Sequence, residues 1–141
     1  MPWAAPLPAA ARAFALLSGL GLLALLVLAA WLTPDERGLG THRQLGFPQC
    51  TALKLLGIRC PTCGMTTSWA HTVRGQLGRA AAANCGGTLL ALSAIAMVPW
   101  LLGSGARGQW LISPPSGRVA LTLMLTVLGV TLLDWAIRLI R

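Results

Sequence analysis

Residues 13–32 read AFALLSGLGLLALLVLAAWL, twenty positions without a charge. Wound as a helix at 1.5 Å per residue, such a stretch is about 30 Å long, the thickness of a bilayer's hydrocarbon core. Arg12 bounds one end, and Trp31 followed by Thr33-Pro34-Asp35 bounds the other. The competing reading is a secretory signal peptide, with Arg12 as its charged region and Val27-x-Ala29 before a cleavage point. Signal peptides carry a shorter apolar stretch, about 7–15 residues, so an uncleaved span is the better fit.

Composition points the same way. Of the 141 residues, 55 % are hydrophobic and only 10 % charged, with no tyrosine. A soluble domain covers itself with about 25 % charged residues, so lipid is the expected solvent for much of this chain. The length suits one unit, residues 1–141, rather than several domains. A formal net charge of +8 raises the question of nucleic acid, but the basic residues are scattered singly between apolar runs. With no Lys/Arg cluster and no aromatic platform, nucleic acid is excluded as a partner. The arginines are read instead as boundary residues that meet anionic headgroups of the lipid bilayer.

Two further spans follow from the same reasoning. Residues 80–102 are free of charge, with Asn84, Cys85, Gly86 and Gly87 near the start and Pro99-Trp100 marking the far end. Their small residues (Gly86, Gly87, Ala91, Ser93, Ala94) let helices approach closely in lipid. A loop with Trp110 and Pro114-Pro115 precedes a third span over 119–138, whose 15 uncharged positions from Val119 to Leu133 are extended by Asp134 and Arg138 at i and i+4. Trp3, Trp31, Trp100, Trp110 and Trp135 fall near the boundaries, as an aromatic belt requires. The predicted fold is therefore an all-α integral membrane protein with three transmembrane helices. Arg37, Arg43, Lys54, Arg59, Arg74, Arg79, Arg138 and Arg141 share one side, against Arg12, Arg107 and Arg118 on the other. That bias predicts a cytoplasmic first loop and an outside N-terminus.

The first loop, residues 34–79, carries the chemistry. It opens polar and rich in turn formers, continues through Phe47-Pro48, Cys50 and a short apolar piece ended by Gly57, and reaches Cys60-Pro61-Thr62-Cys63-Gly64. Met65, Trp69, Val73 and Leu77 then recur every four residues, which predicts a short interfacial helix with one apolar stripe against lipid or the other helices. A Cys-x-x-Cys brings two sulfurs close enough to share one metal ion or one disulfide. For zinc, Cys50, Cys60 and Cys63 are three candidate ligands, with His42 or His71 as the fourth. For thiol–disulfide exchange, Cys60 at a helix start is the nucleophile and Cys63 the resolving thiol, although no thioredoxin-like strand–helix alternation surrounds them. In a third reading the cysteines are small apolar residues of an accessory subunit.

Cys50, Gly57, Cys60-Pro61-Thr62-Cys63-Gly64-Met65-Thr66, Arg74-Gly75 and Asn84 together resemble the signature of small bacterial membrane proteins catalogued as domain of unknown function 2752. Gly38-Leu39-Gly40-Thr41-His42 and Gln44-Leu45-Gly46 resemble one branch of that family. The resemblance covers residues 34–102. It departs from the commoner pattern at Thr67, where the family box has Arg, and at Cys85, where Pro commonly follows the Asn, so Cys85 is set aside as a site residue. The resemblance implies an integral membrane protein with no established activity, in the bacterial cytoplasmic (inner) membrane. Such a small chain is expected to work through a membrane-protein partner or as a homo-oligomer. The other site classes lack material: Asp35, Glu36 and Asp134 are the only carboxylates, and no phosphate loop, nucleophilic serine motif or dinucleotide fingerprint occurs.

Overall fold

A computed structural model describes residues 6–140, and these form helices joined by turns and irregular loops, with no strand among them. Helix α1 runs over Ala9–Trp31, α2 over Thr51–Leu56, α3 over Met65–Thr72, α4 over Leu77–Ala83, α5 over Cys85–Arg107 and α6 over Gly117–Ile140. One 3-10 turn, Thr41–Leu45, precedes α2. α1, α5 and α6 are each long and apolar enough to cross a membrane. Trp3 and Arg141 lie outside the described residues.

Two expected boundaries shift. The second span starts at Cys85 rather than Ala80, because Asn84 is extended (φ −166°, ψ 114°) and separates α4 from α5. The Asn84 side chain caps α5 by accepting from the Gly87 backbone N–H at 2.7 Å, the ordinary way an Asn starts a helix. α5 also runs on to Arg107, with Pro99 inside it. The first loop holds three short helices instead of one. Gly57 and Gly75, both at positive φ, end α2 and the turn after α3.

The inside of the molecule is small and polar. Thr41, Thr67, Ser68, His71, Thr72, Asn84, Thr88 and Ser104 are buried beside Ala15, Ala70, Ala80 and Ala91. Large apolar side chains point outward, among them Phe14, Leu17, Val27, Leu121, Leu123 and Met124. This inverts the water-soluble arrangement and fits a lipid surround, where close approach and hydrogen bonds hold helices together. α1 meets α5 through small residues: a Cβ on Gly19 would come 2.7 Å from the Leu102 side chain, and one on Gly105 2.7 Å from Leu16. α6 leans on α5 near its far end, where Gly86 abuts Thr131.

Three arginines close helix C-termini, whose last carbonyls have no partner within the helix. Arg74 donates to Ala29 O, Ala30 O and Leu32 O at the end of α1, and also to Ala70 O. Arg138 donates to Ala81 O, Ala82 O and Ala83 O at the end of α4. Arg12 donates to Gly105 O and Ala106 O near the end of α5. The Asp134–Arg138 pair expected from i,i+4 spacing is present at 2.9 Å. Its carboxylate also accepts from the Cys85 backbone N–H at 3.2 Å.

Candidate functional site

The Cys60–Gly64 box is a tight turn: Cys63 N–H donates to Cys60 O at 3.0 Å and Met65 N–H to Thr62 O at 3.1 Å. Gly64 ends it at φ 85°, a left-handed conformation that Gly adopts at no steric cost. A Cβ at Gly64 would strike the carbonyl oxygens of Ala83 and Gly38, so the box fits only against α4 and the Gly38 turn. Asn84 locks it from the other side, its Nδ2 donating to Pro61 O at 3.0 Å and Cys63 O at 3.2 Å. Trp135 of α6 holds the residue before the box, its Nε1 donating to Arg59 O at 2.6 Å.

Cys50 reaches this turn from the start of α2. Its Sγ is 3.4 Å from Cys60 Sγ, and Cys60 Sγ is 3.1 Å from Cys63 Sγ. The ligating atoms of Cys50, Cys60 and Cys63 all lie within 4.8 Å of one another. A disulfide needs about 2.05 Å between sulfurs, so these are three thiols in contact. Thiolates at 2.3 Å from one tetrahedral zinc stand about 3.8 Å apart, so a small outward adjustment of these sulfurs would admit an ion. The donor set suits a thiolate-preferring metal.

The three sulfurs open onto a cavity of about 410 Å³, whose walls also include Asp35, Arg37, His42, Arg43 and Thr62. His42 Nε2 faces Pro48 O at 3.2 Å. A carbonyl only accepts, so Nε2 is the donor and Nδ1 is the ring nitrogen left outside this bond. His42 thus shares the cavity without belonging to the sulfur cluster. His71 lies elsewhere: it is buried in α3, with Nδ1 donating to Gln76 Oε1 at 2.6 Å, and lines a different cavity. Cys85 also stands apart, its thiol donating to Ala81 O at 3.3 Å.

The two thiols of the box are unequal. Burial works against ionisation of Cys60, but hydrogen bonds from Thr62, Cys63 and Cys50 outweigh it and bring its pKa down to about 7. Burial and the neighbouring Cys60 push Cys63 up to about 12. The first cysteine is therefore the one that ionises near neutrality, the thiolate being the form that attacks and ligates.

Sequence reading missed the clamp role of Asn84 and the link from Thr41 to Thr67 (Oγ1 to Oγ1, 2.8 Å) that ties the 3-10 turn to α3. The signal for Asn84 was its place at the head of an apolar span, where N-caps belong. Nothing local signals the Thr41–Thr67 contact. No curated protein matches the chain, and no solved structure does. Residues 50–98, from the first cysteine of the cluster into α5, match the family described as "Protein of unknown function (DUF2752)".

Proposed function

We propose that Cys50, Cys60 and Cys63 form a metal site in a small polytopic protein of the bacterial inner membrane, with zinc as the first candidate and His42 as the fourth ligand. The observation that carries this reading is the convergence of three sulfurs within 4.8 Å from two separate segments of the loop. A bound ion would supply a cross-link between α2 and the box, stiffening a surface that a membrane-protein partner or a second copy recognises. The site is structural in this reading and catalyses nothing.

The loop faces the cytoplasm, where thiols stay reduced and available to metals. With the capping arginines Arg12, Arg74 and Arg138 and the undescribed Arg141 set aside, Arg37, Arg43, Lys54, Arg59 and Arg79 still outnumber Arg107 and Arg118 across the bilayer. That excess favours the cytoplasmic assignment.

Elemental mass spectrometry of the detergent-purified chain tests it. The expected result is about one zinc per chain, lost in Cys60→Ser and diminished in His42→Ala while both variants still insert. Equal metal content in the wild type and Cys60→Ser overturns it.

One observation favours a second reading. Cys60 and Cys63 are 3.1 Å apart, and Cys60 has the lower pKa, which suits thiol–disulfide exchange. The Cys60 thiolate would attack a partner's disulfide, and Cys63 would then displace the partner's second thiol, leaving Cys60–Cys63 oxidised and the partner reduced. A Cys63→Ser variant that traps no mixed disulfide removes this reading.

A further inference from the structure

His71 and Arg74, which the metal reading does not use, help line a second cavity of about 660 Å³ on the other side of the loop module. Its walls include Glu36, Arg37, His71, Arg74, Gln76 and Arg79. Three guanidinium groups against Glu36, and against Asp35 paired with Arg37, leave the cavity net positive, a field that attracts anions. Arg37 leans on Asp35 at 3.4 Å with most of its side chain in the open. Arg74 spends its N–H groups on carbonyls, which satisfies its donors without cancelling its charge. Arg79 has no hydrogen bond or ion pair among the described residues and is exposed.

The position of the cavity narrows the ligand. Thr33 and Pro34 form part of its wall, two and three residues past the end of α1 at Trp31. Trp31 itself is 73 % exposed, as expected of an interfacial aromatic. The cavity therefore sits at the level where lipid phosphates lie, just outside the hydrocarbon.

The geometry points to a phosphate-binding site formed by Arg37, Arg74 and Arg79, recognising the phosphate of an anionic phospholipid or a free phosphate-bearing ligand. Arg79 contacts the phosphate directly in the manner arginine favours, with its planar fork. Glu36 opposes the ligand and limits its affinity. The site is separate from the cysteine cluster, sharing only Arg37 on the wall between the two cavities, so it stands or falls independently of metal.

Native mass spectrometry of the full detergent-purified chain, titrated with phosphatidylglycerol or phosphatidylcholine, tests the lipid source. Equilibrium dialysis against inorganic phosphate tests the free one. Preferential retention of phosphatidylglycerol is expected, reduced about fivefold by Arg79→Gln and raised by a similar factor by Glu36→Gln, with Arg59→Gln neutral. Binding of inorganic phosphate with that same pattern, and no lipid preference, keeps the site and assigns it to a free ligand. Anion retention that Arg79→Gln does not change overturns the inference. So does a shift in the same direction from Arg79→Gln and Glu36→Gln, which would mean a folding effect.

Discussion

Residues 33–84 bury hydroxyls, an imidazole and an amide, namely Thr41, Thr67, Ser68, His71, Thr72 and Asn84, whereas α6 buries none of its side chains. The loop module turns Phe47, Leu55 and Leu56 outward and is held from within by hydrogen bonds. α6 is held chiefly at one end, through Gly86–Thr131, Asp134–Cys85, Trp135–Arg59 and Arg138 on α4. Its remaining surface is apolar. Stability in a chain whose solvent is lipid therefore resides in polar contacts and close approach. Burying another leucine gains little there, because the tails outside are as apolar as the protein inside. A satisfied polar contact, or a close approach at a glycine, gains more.

The largest loss is expected at Gly64. Gly64→Ala requires a left-handed alanine whose Cβ meets two backbone carbonyls. A loss of about 3 kcal/mol or more is expected. Thermal unfolding in detergent and release of the Cys60 and Cys63 thiols to alkylation would both register it. A stable Gly64→Ala with protected thiols would mean that the module is looser than its contacts imply.

Arg74 is next. Replacing it with Gln unhooks the module from the end of α1 and removes four donated bonds. We expect about 2 kcal/mol of destabilisation, read by denaturant or heat, while Arg118→Gln at the head of α6 stays within about 0.5 kcal/mol. Equal effects of the two would erase the distinction between capping and boundary arginines.

A smaller effect sharpens the chemistry inside the module. In metal-free protein the Cys60 thiolate forms as pH rises through about 7. Alkylation of Cys60 should be slow below that pH and level off above it. At neutral pH it should exceed an ordinary thiol by about fivefold, since the gain in thiolate is partly offset by lower nucleophilicity. Cys63, held up at about 12, should stay unreactive across the same range. Peptide mapping after timed alkylation separates the two, and equal rates would remove the asymmetry.

The smallest effect belongs to α6. Leu123 is exposed on its free face, so Leu123→Ala should change stability by less than about 0.5 kcal/mol in detergent. A loss several times larger would show that something covers that face.

Some of this was legible from the residues alone. The three spans follow from charge-free runs of bilayer length, since hydropathy and length are local properties that no later contact can undo. Cys60 and Cys63 were certain to be neighbours, because two intervening residues in a turn leave them little choice. The stripe of Met65, Trp69 and Val73 was readable as one helix face against lipid or the other helices, and each of these is half-buried.

The rest was settled in three dimensions. Whether Cys50 joined the pair depended on how the chain between it and Cys60 folded back. Two histidines equally near in sequence were parted into different cavities by the packing of α3. The arginines looked alike as charges, yet Arg12, Arg74 and Arg138 became helix caps because each met a helix C-terminus between 42 and 94 residues away in the chain. The break at Asn84 is of the same kind, since its amide is held by the cysteine box as well as by its own helix. Local composition and spacing are enough to assign segments to lipid and to bring two sulfurs together. Which distant polar groups satisfy each other follows from the packed fold, because a hydrogen bond in an apolar surround takes whichever partner lies within about 3 Å.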